Sequence, residues 1–121
     1  MKIEIPLRRV VTTQFNEAFT ALCRAKGLDI KLCFPLARMK RANEAATKKF
    51  VEDRDLASES HGSKTDGVFK FTDASHEKLF AQEVNALLDA PVVHELPCKV
   101  KLADNALTPD LIAELLELLD E

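Results

Sequence analysis

The chain has 121 residues, with 17 Lys and Arg against 20 Asp and Glu and a formal net charge of −3. That length favours one domain, residues 1–121, with a single modest core, and the acidic balance argues against a dedicated nucleic-acid domain, which is usually basic as a whole. Seventeen leucines and seven phenylalanines supply the core, while the absence of Trp and Tyr argues against sugar sites and base-stacking platforms.

Charge is divided along the chain. Residues 1–72 hold 14 Lys and Arg against 9 Asp and Glu, whereas residues 73–121 hold 3 against 11. Opposite fields steer encounter and orientation, so the split favours self-assembly or docking on a charged partner. The start of the chain, Met1 to Val11, lacks the apolar run of a signal peptide, and no stretch approaches the ~20 apolar residues of a membrane span. Cys23, Cys33 and Cys98 are an odd set without a CxxC, which fits a reducing compartment and three small buried or half-buried thiols.

Ile3 and Ile5 alternate with charged neighbours before Pro6, which predicts a short edge strand over 2–5. Thr12 or Thr13 can cap a helix over 13–26, with Phe15, Phe19 and Leu22 on one face and Gly27 as a left-handed stop. Leu28, Ile30, Leu32 and Phe34 then alternate with Asp29, Lys31 and Cys33, a period of two that predicts a strand over 28–34. Pro35 occupies a favourable first helical position, and the residues after it contain neither Gly nor Pro, so a long helix is expected over 35–56.

At 100° per residue, Leu36, Met39, Asn43, Ala46, Thr47, Phe50 and Val51 cover one side of that helix. Arg38, Arg41, Lys48 and Lys49 gather opposite them in an arc of roughly 100°. Residues 57–67 (ASESHGSKTDG) are small and polar and predict a loop, and Asp66-Gly67 leads into a strand over 68–71 with Phe69 and Phe71 on one face. A third helix is expected over 75–89, capped from Thr72 to Ser75 and buried along Phe80, Val84, Leu87 and Leu88.

His94, Leu96, Cys98, Val100 and Leu102 alternate with polar residues and predict a strand over 93–102, held to an edge by Pro97. Thr108-Pro109-Asp110 opens a closing helix over 109–120, with Leu107 able to staple against Ile112. That helix is apolar at 111, 112, 115, 116, 118 and 119, a stripe wider than a small domain needs. Leu111, Leu115, Leu118 and Leu119 are therefore expected to face a partner.

His61, His76, His94 and the cysteines lack the paired spacing of a zinc site, so no metal is expected, and three glycines leave no phosphate-cradling loop or other cofactor motif. Residue types for catalysis exist, Cys33 with His94 or a pair from Glu52, Asp53 and Asp55, but no spacing marks them as convergent, so no enzyme is expected. The basic arc is read first as a solvated face, next as a dock for an acidic protein surface, and last as a nucleic-acid contact.

From Leu28 onward the chain resembles a group of small phage-encoded proteins of unknown function. The resemblance is carried by IKLCFPLARMKRANE, KKFVEDRD, HGSKTDGVFKF, FAQEVNALLDAPV and the LTPDLI that opens the closing helix. Where the group has an aromatic before a leucine-alanine pair, Phe34 is here followed by Pro35, Leu36 and Ala37. The resemblance implies a phage or prophage origin and supplies no catalytic residue.

Together these features predict an α+β fold with the long central helix packed on the third and last helices. The expected function is that of a non-enzymatic phage accessory or assembly protein, homo-oligomeric and bound to phage or host proteins through Leu111, Leu115, Leu118, Leu119, Arg38, Arg41, Lys48 and Lys49. Its place would be the cytoplasm of a bacterial host or the virion. The alternatives are a small inhibitor of a host factor, such as a defence enzyme or polymerase, and a nucleic-acid-binding module using the basic helix.

Overall fold

A computed structural model describes residues 1–104 and 106–120 of the chain. The elements run β1 (Lys2–Pro6), α1 (Leu7–Val10), α2 (Thr13–Cys23), α3 (Ile30–His61), β2 (Gly62–Thr65), β3 (Val68–Phe71), α4 (Ala74–Asp89), β4 (Pro91–Glu95) and α5 (Pro109–Glu114). The fold is α+β, with the strands in two antiparallel pairs, β1 with β4 and β2 with β3.

β1 behaves as its alternation demands: Ile3 and Ile5 are buried, and they pair with His94 and Val92 across the ladder. Leu7 and Val10, three residues apart, bury the inner face of α1, a turn the sequence did not announce. In α2, Thr12 Oγ1 accepts from the Phe15 backbone N–H and satisfies one orphan donor of the first turn. Phe15, Ala18, Phe19 and Leu22 then form the buried stripe, with Phe15 and Phe19 stacked at a centroid separation of 6.1 Å. Each such large side chain removed from water contributes on the order of 1.5–3 kcal/mol.

The predicted strand over 28–34 is a correction. Asp29 caps α3, its carboxylate accepting from the Lys31 backbone N–H at 3.0 Å, and helix begins at Ile30. Leu32, Leu36 and Met39 then fall at i, i+4 and i+7 on the core side. Pro35 lies inside α3 rather than at its first position; near the helix start it removes a single backbone donor.

The same helix outruns its predicted end at Leu56 and continues to His61. Ser58 Oγ and Ser60 Oγ donate to the carbonyls of Asp55 and Leu56, so both hydroxyls are satisfied within the helix. The expected loop over 57–67 is therefore corrected to a last helical turn plus β2 and a tight hairpin. Asp66 (φ 54°) and Gly67 (φ 78°) supply the two left-handed residues that such a two-residue turn requires.

Asp73 caps α4 by accepting from the His76 backbone N–H at 2.9 Å. The predicted stripe of Phe80, Val84, Leu87 and Leu88 faces inward, yet no residue of α4 is fully buried. The long strand expected over 93–102 is corrected to Pro91–Glu95. His94 within it and Leu96 and Val100 beyond it are buried as the alternation foretells, but Pro97 has no N–H to donate. Val100 makes only an isolated parallel bridge to Leu119.

The closing helix is also shorter than 109–120. Pro109 holds the first position of α5 and Thr108 the cap, although the Thr108 side chain makes no capping hydrogen bond. α5 lies mainly on α2 and α3 on α4, so the principal neighbour of the last helix is corrected from the central helix to α2.

Asn43 sits in mid-α3 at 4% exposure, and among the described residues neither atom of its side-chain amide has a hydrogen-bond partner. A buried amide without partners costs about 1–3 kcal/mol. Asn43→Leu, close in volume and a better helix former, is expected to raise stability by about 1–2 kcal/mol in urea melts. A loss of stability would show that the amide is paired in solution.

Candidate interaction surface on the central helix

Four of the residues singled out by sequence, Leu111, Leu115, Leu118 and Leu119, do not form a partner-facing stripe. Leu115, Leu118 and Leu119 are buried within their own chain and Leu111 is half-buried. The physical reason is local: after Glu114 the chain leaves the helical path through tight turns, Leu115 N–H to Ile112 O and Leu118 N–H to Leu115 O. A straight helix would have kept these leucines on one face, within an arc of about 100°; the turns instead seat Leu115, Leu118 and Leu119 in the chain's own core. Leu116, between Leu115 and Leu118, points outward at 55% exposure.

Arg9 clips this segment down, its guanidinium donating to both carboxylate oxygens of Glu117 and, at 2.7 Å, to the Glu114 carbonyl. Partial burial would raise the Glu117 carboxyl, but the Arg9 hydrogen bond, its own backbone N–H and the Arg9 charge outweigh that and hold it below the ordinary carboxylate range. A depressed folded-state value means that the stabilisation is present above the ordinary carboxylate range and is lost as pH falls through the folded value. Because the pair is solvent-screened, Glu117→Gln is expected to cost about 0.5 kcal/mol or less near neutrality. In urea melts across pH, the two proteins should converge in acid; a constant difference would disprove the linkage.

The other four residues lie where the 100° spacing puts them. Arg38, Arg41, Lys48 and Lys49 are all exposed on the side of α3 that faces away from α4, β4, α1 and α2, and among the described residues none of them makes a salt bridge. Two more residues of that face escape the sequence reading. Ile30 and Phe34, one turn apart, are 81% and 74% exposed, the highest values of any large apolar side chain among the described residues. Read as a strand, they share the buried face of Leu28 and Leu32; read as a helix from the Asp29 cap, they fall opposite Leu32 and Leu36. Leu56, at 62%, continues the exposed apolar positions on the far half of the helix.

The outer face is also polarised along its length. Residues 30–49 hold six Lys and Arg against one Glu, and residues 50–61 hold four Asp and Glu against one Arg. Such a face can bind a surface that alternates acidic patches with apolar side chains, and it orients that surface along the helix axis.

A second cluster fastens the far end of α3. His61, predicted as loop surface, is buried, and its Nε2 lies 3.1 Å from Glu83 Oε1 while its Nδ1 lies 2.9 Å from His76 Nδ1. With both rings neutral, one proton arrangement satisfies both contacts: His61 Nε2–H donates to Glu83, and His76 Nδ1–H donates to His61 Nδ1. Phe69, Phe71 and Phe80 pack beside one another at 5.1 and 5.4 Å between centroids and complete the contact of the hairpin with α4.

His94 is buried on β4, where burial pushes its imidazole pKa down. Cys23 and Cys98 are half-buried, and burial pushes the Cys23 thiol up, partly offset by the Lys40 ammonium. Cys33 is exposed, which corrects the expectation of three sheltered thiols. Among the described residues its Sγ hydrogen-bonds to the Asp29 carbonyl at 3.9 Å and not to His94, so that candidate pair is not assembled. Nor do the described residues contain a group of three or more His, Cys, Asp or Glu side chains placed to hold a metal ion. Among the described residues no helix is long and apolar enough to cross a membrane.

No family model matches the chain, and neither a curated protein nor a solved structure matches it at a significant level.

Proposed function

We propose that the chain is a non-enzymatic, phage-type accessory or assembly protein that works by protein–protein interaction, and that its contact surface is the outer face of α3 rather than the closing leucines. The observation that carries this is the pair Ile30 and Phe34, left mostly in water at one end of a helix face that continues with four cations that form no salt bridge among the described residues. Large exposed apolar side chains beside charges are the composition of an interface that a partner covers. The phage setting, in a bacterial cytoplasm or the virion, rests on the resemblance from Leu28 onward.

Nucleic acid is the second reading, favoured by Arg38, Arg41, Lys48 and Lys49 lying exposed on one face. Glu44 and Glu52 on the same helix and the overall charge of −3 weigh against it. A photoreactive benzoylphenylalanine in place of Phe34 separates the two in cells. Protease-sensitive adducts are expected; adducts sensitive only to nuclease, or none at all, would remove the proposal.

A further inference from the structure

The geometry points to a second copy of this chain as the occupant of the α3 face, with the two helices antiparallel about a twofold axis at Ala45. This rests on the reading of α3 as a protein-binding surface and names the partner. In a twofold pairing, a residue a given number of positions before the axis faces the residue the same number of positions after it. Counting outward from Ala45, seven positions reach Arg38 and Glu52, eleven reach Phe34 and Leu56, and fourteen reach Lys31 and Glu59. All seven residues are exposed, and all lie within about 40° of the Ala45 direction at 100° per residue.

The steps of seven, eleven and fourteen positions therefore bring complementary groups together, and each contact occurs twice. Arg38 meets Glu52 of the other copy, Phe34 covers Leu56, and Lys31 meets Glu59. Ala45, with only a methyl group, sits on the axis where the helices approach most closely. The Phe34–Leu56 stretch is about 33 Å long at 1.5 Å per residue, enough for a two-helix seam. The polarity of α3 selects the direction, because a parallel pairing would lay the basic half of one helix on the basic half of the other.

One pair opposes the scheme: four positions out, Arg41 faces Lys49. Each has an acid of its own chain one turn away, Glu44 for Arg41 and Asp53 for Lys49, which lowers the repulsion without removing it. The association is accordingly reversible.

Sedimentation velocity of the full chain carrying Cys33→Ser, which prevents an adventitious disulfide, tests the pairing over a concentration series at low salt. A monomer–dimer equilibrium is expected. Arg38→Glu and Glu52→Arg should each raise the dimer dissociation constant at least tenfold, since each places like charges opposite one another twice. The double variant restores both contacts with the signs exchanged and should return to within about threefold of the parent. Circular dichroism confirms that each variant is folded. In the same background, Ala45→Cys should form an intermolecular disulfide under mild oxidation, whereas Ser63→Cys, beyond the seam, should not. A chain that stays monomeric throughout, or a double variant no better than the singles, would overturn the inference. Protein adducts at position 34 in a strictly monomeric chain would remove the second copy as occupant and leave the proposed function standing.

Discussion

Leu118→Ala is expected to destabilise the isolated chain by about 3 kcal/mol, a typical cost for emptying a leucine-sized site in a packed core. Leu118 has no exposed surface, and its surroundings cannot easily close on a void. Its backbone is held on both sides: its N–H donates to the Leu115 carbonyl at 2.9 Å and its carbonyl accepts from Val100 at 2.7 Å. Anchored backbone limits relaxation, which places the cost well inside the range for such truncations rather than at its lower edge. Leu116→Ala, two residues away and half in water, should change stability by no more than about 0.5 kcal/mol. Urea unfolding at two protein concentrations checks both. If these leucines faced a partner, Leu118→Ala would alter the concentration dependence and leave the dilute monomer as stable as before; that result would refute the placement.

The contrast shows what the sequence can and cannot disclose. Thr12, Asp66-Gly67 and Pro109 are local signals, each fixed by capping, left-handed backbone or a preset φ, and each is found where the local chemistry puts it. The basic arc of Arg38, Arg41, Lys48 and Lys49 was legible for the same reason, since it depends only on helical spacing. From Leu28 to Phe34 two periods compete, because apolar residues at every second position also include a 3.6-residue series. Asp29 decides in favour of helix by capping, and Leu32 and Leu36, one turn apart, share the buried face. That choice turns Ile30 and Phe34 outward and creates the most exposed apolar part of the candidate surface.

Elsewhere the missing information was tertiary. The width of the apolar stripe in 111–119 was correct as a count, yet turns after Glu114 let a single chain cover most of it. His61 looks like loop surface because its partners, His76 and Glu83, come from another helix. From Leu96 to Leu102 the alternation persisted without a strand, since burial on one side does not require a ladder.

Gly62→Ala is the second substitution with a large expected effect, and its cause is a close approach rather than backbone strain. Gly62 has extended backbone, φ −172°, that any residue can adopt. An added methyl would nevertheless lie 2.4 Å from the Lys70 carbonyl oxygen, 3.0 Å from the Lys70 carbonyl carbon and 2.7 Å from Phe69 Cζ. The phenyl ring can rotate aside; the carbonyl belongs to the paired strand and moves only if the hairpin does. Gly62 pairs with Phe71 at the root of that hairpin, next to the hydrogen bond from Thr72 N–H to the His61 carbonyl. Pushing β2 from β3 there loosens the phenylalanine cluster and the His61 contact with α4 together. The expected cost is about 2 kcal/mol, within the range for overpacking a tight site. It should be concentrated in one part of the molecule. Hydrogen exchange should accelerate in β2, β3 and the first turns of α4, while the β1–β4 ladder, on the other side of α3's contact with β4, keeps its protection. Uniform acceleration across both sheets, or none, would show that the hairpin root does not hold the end of α3 to α4.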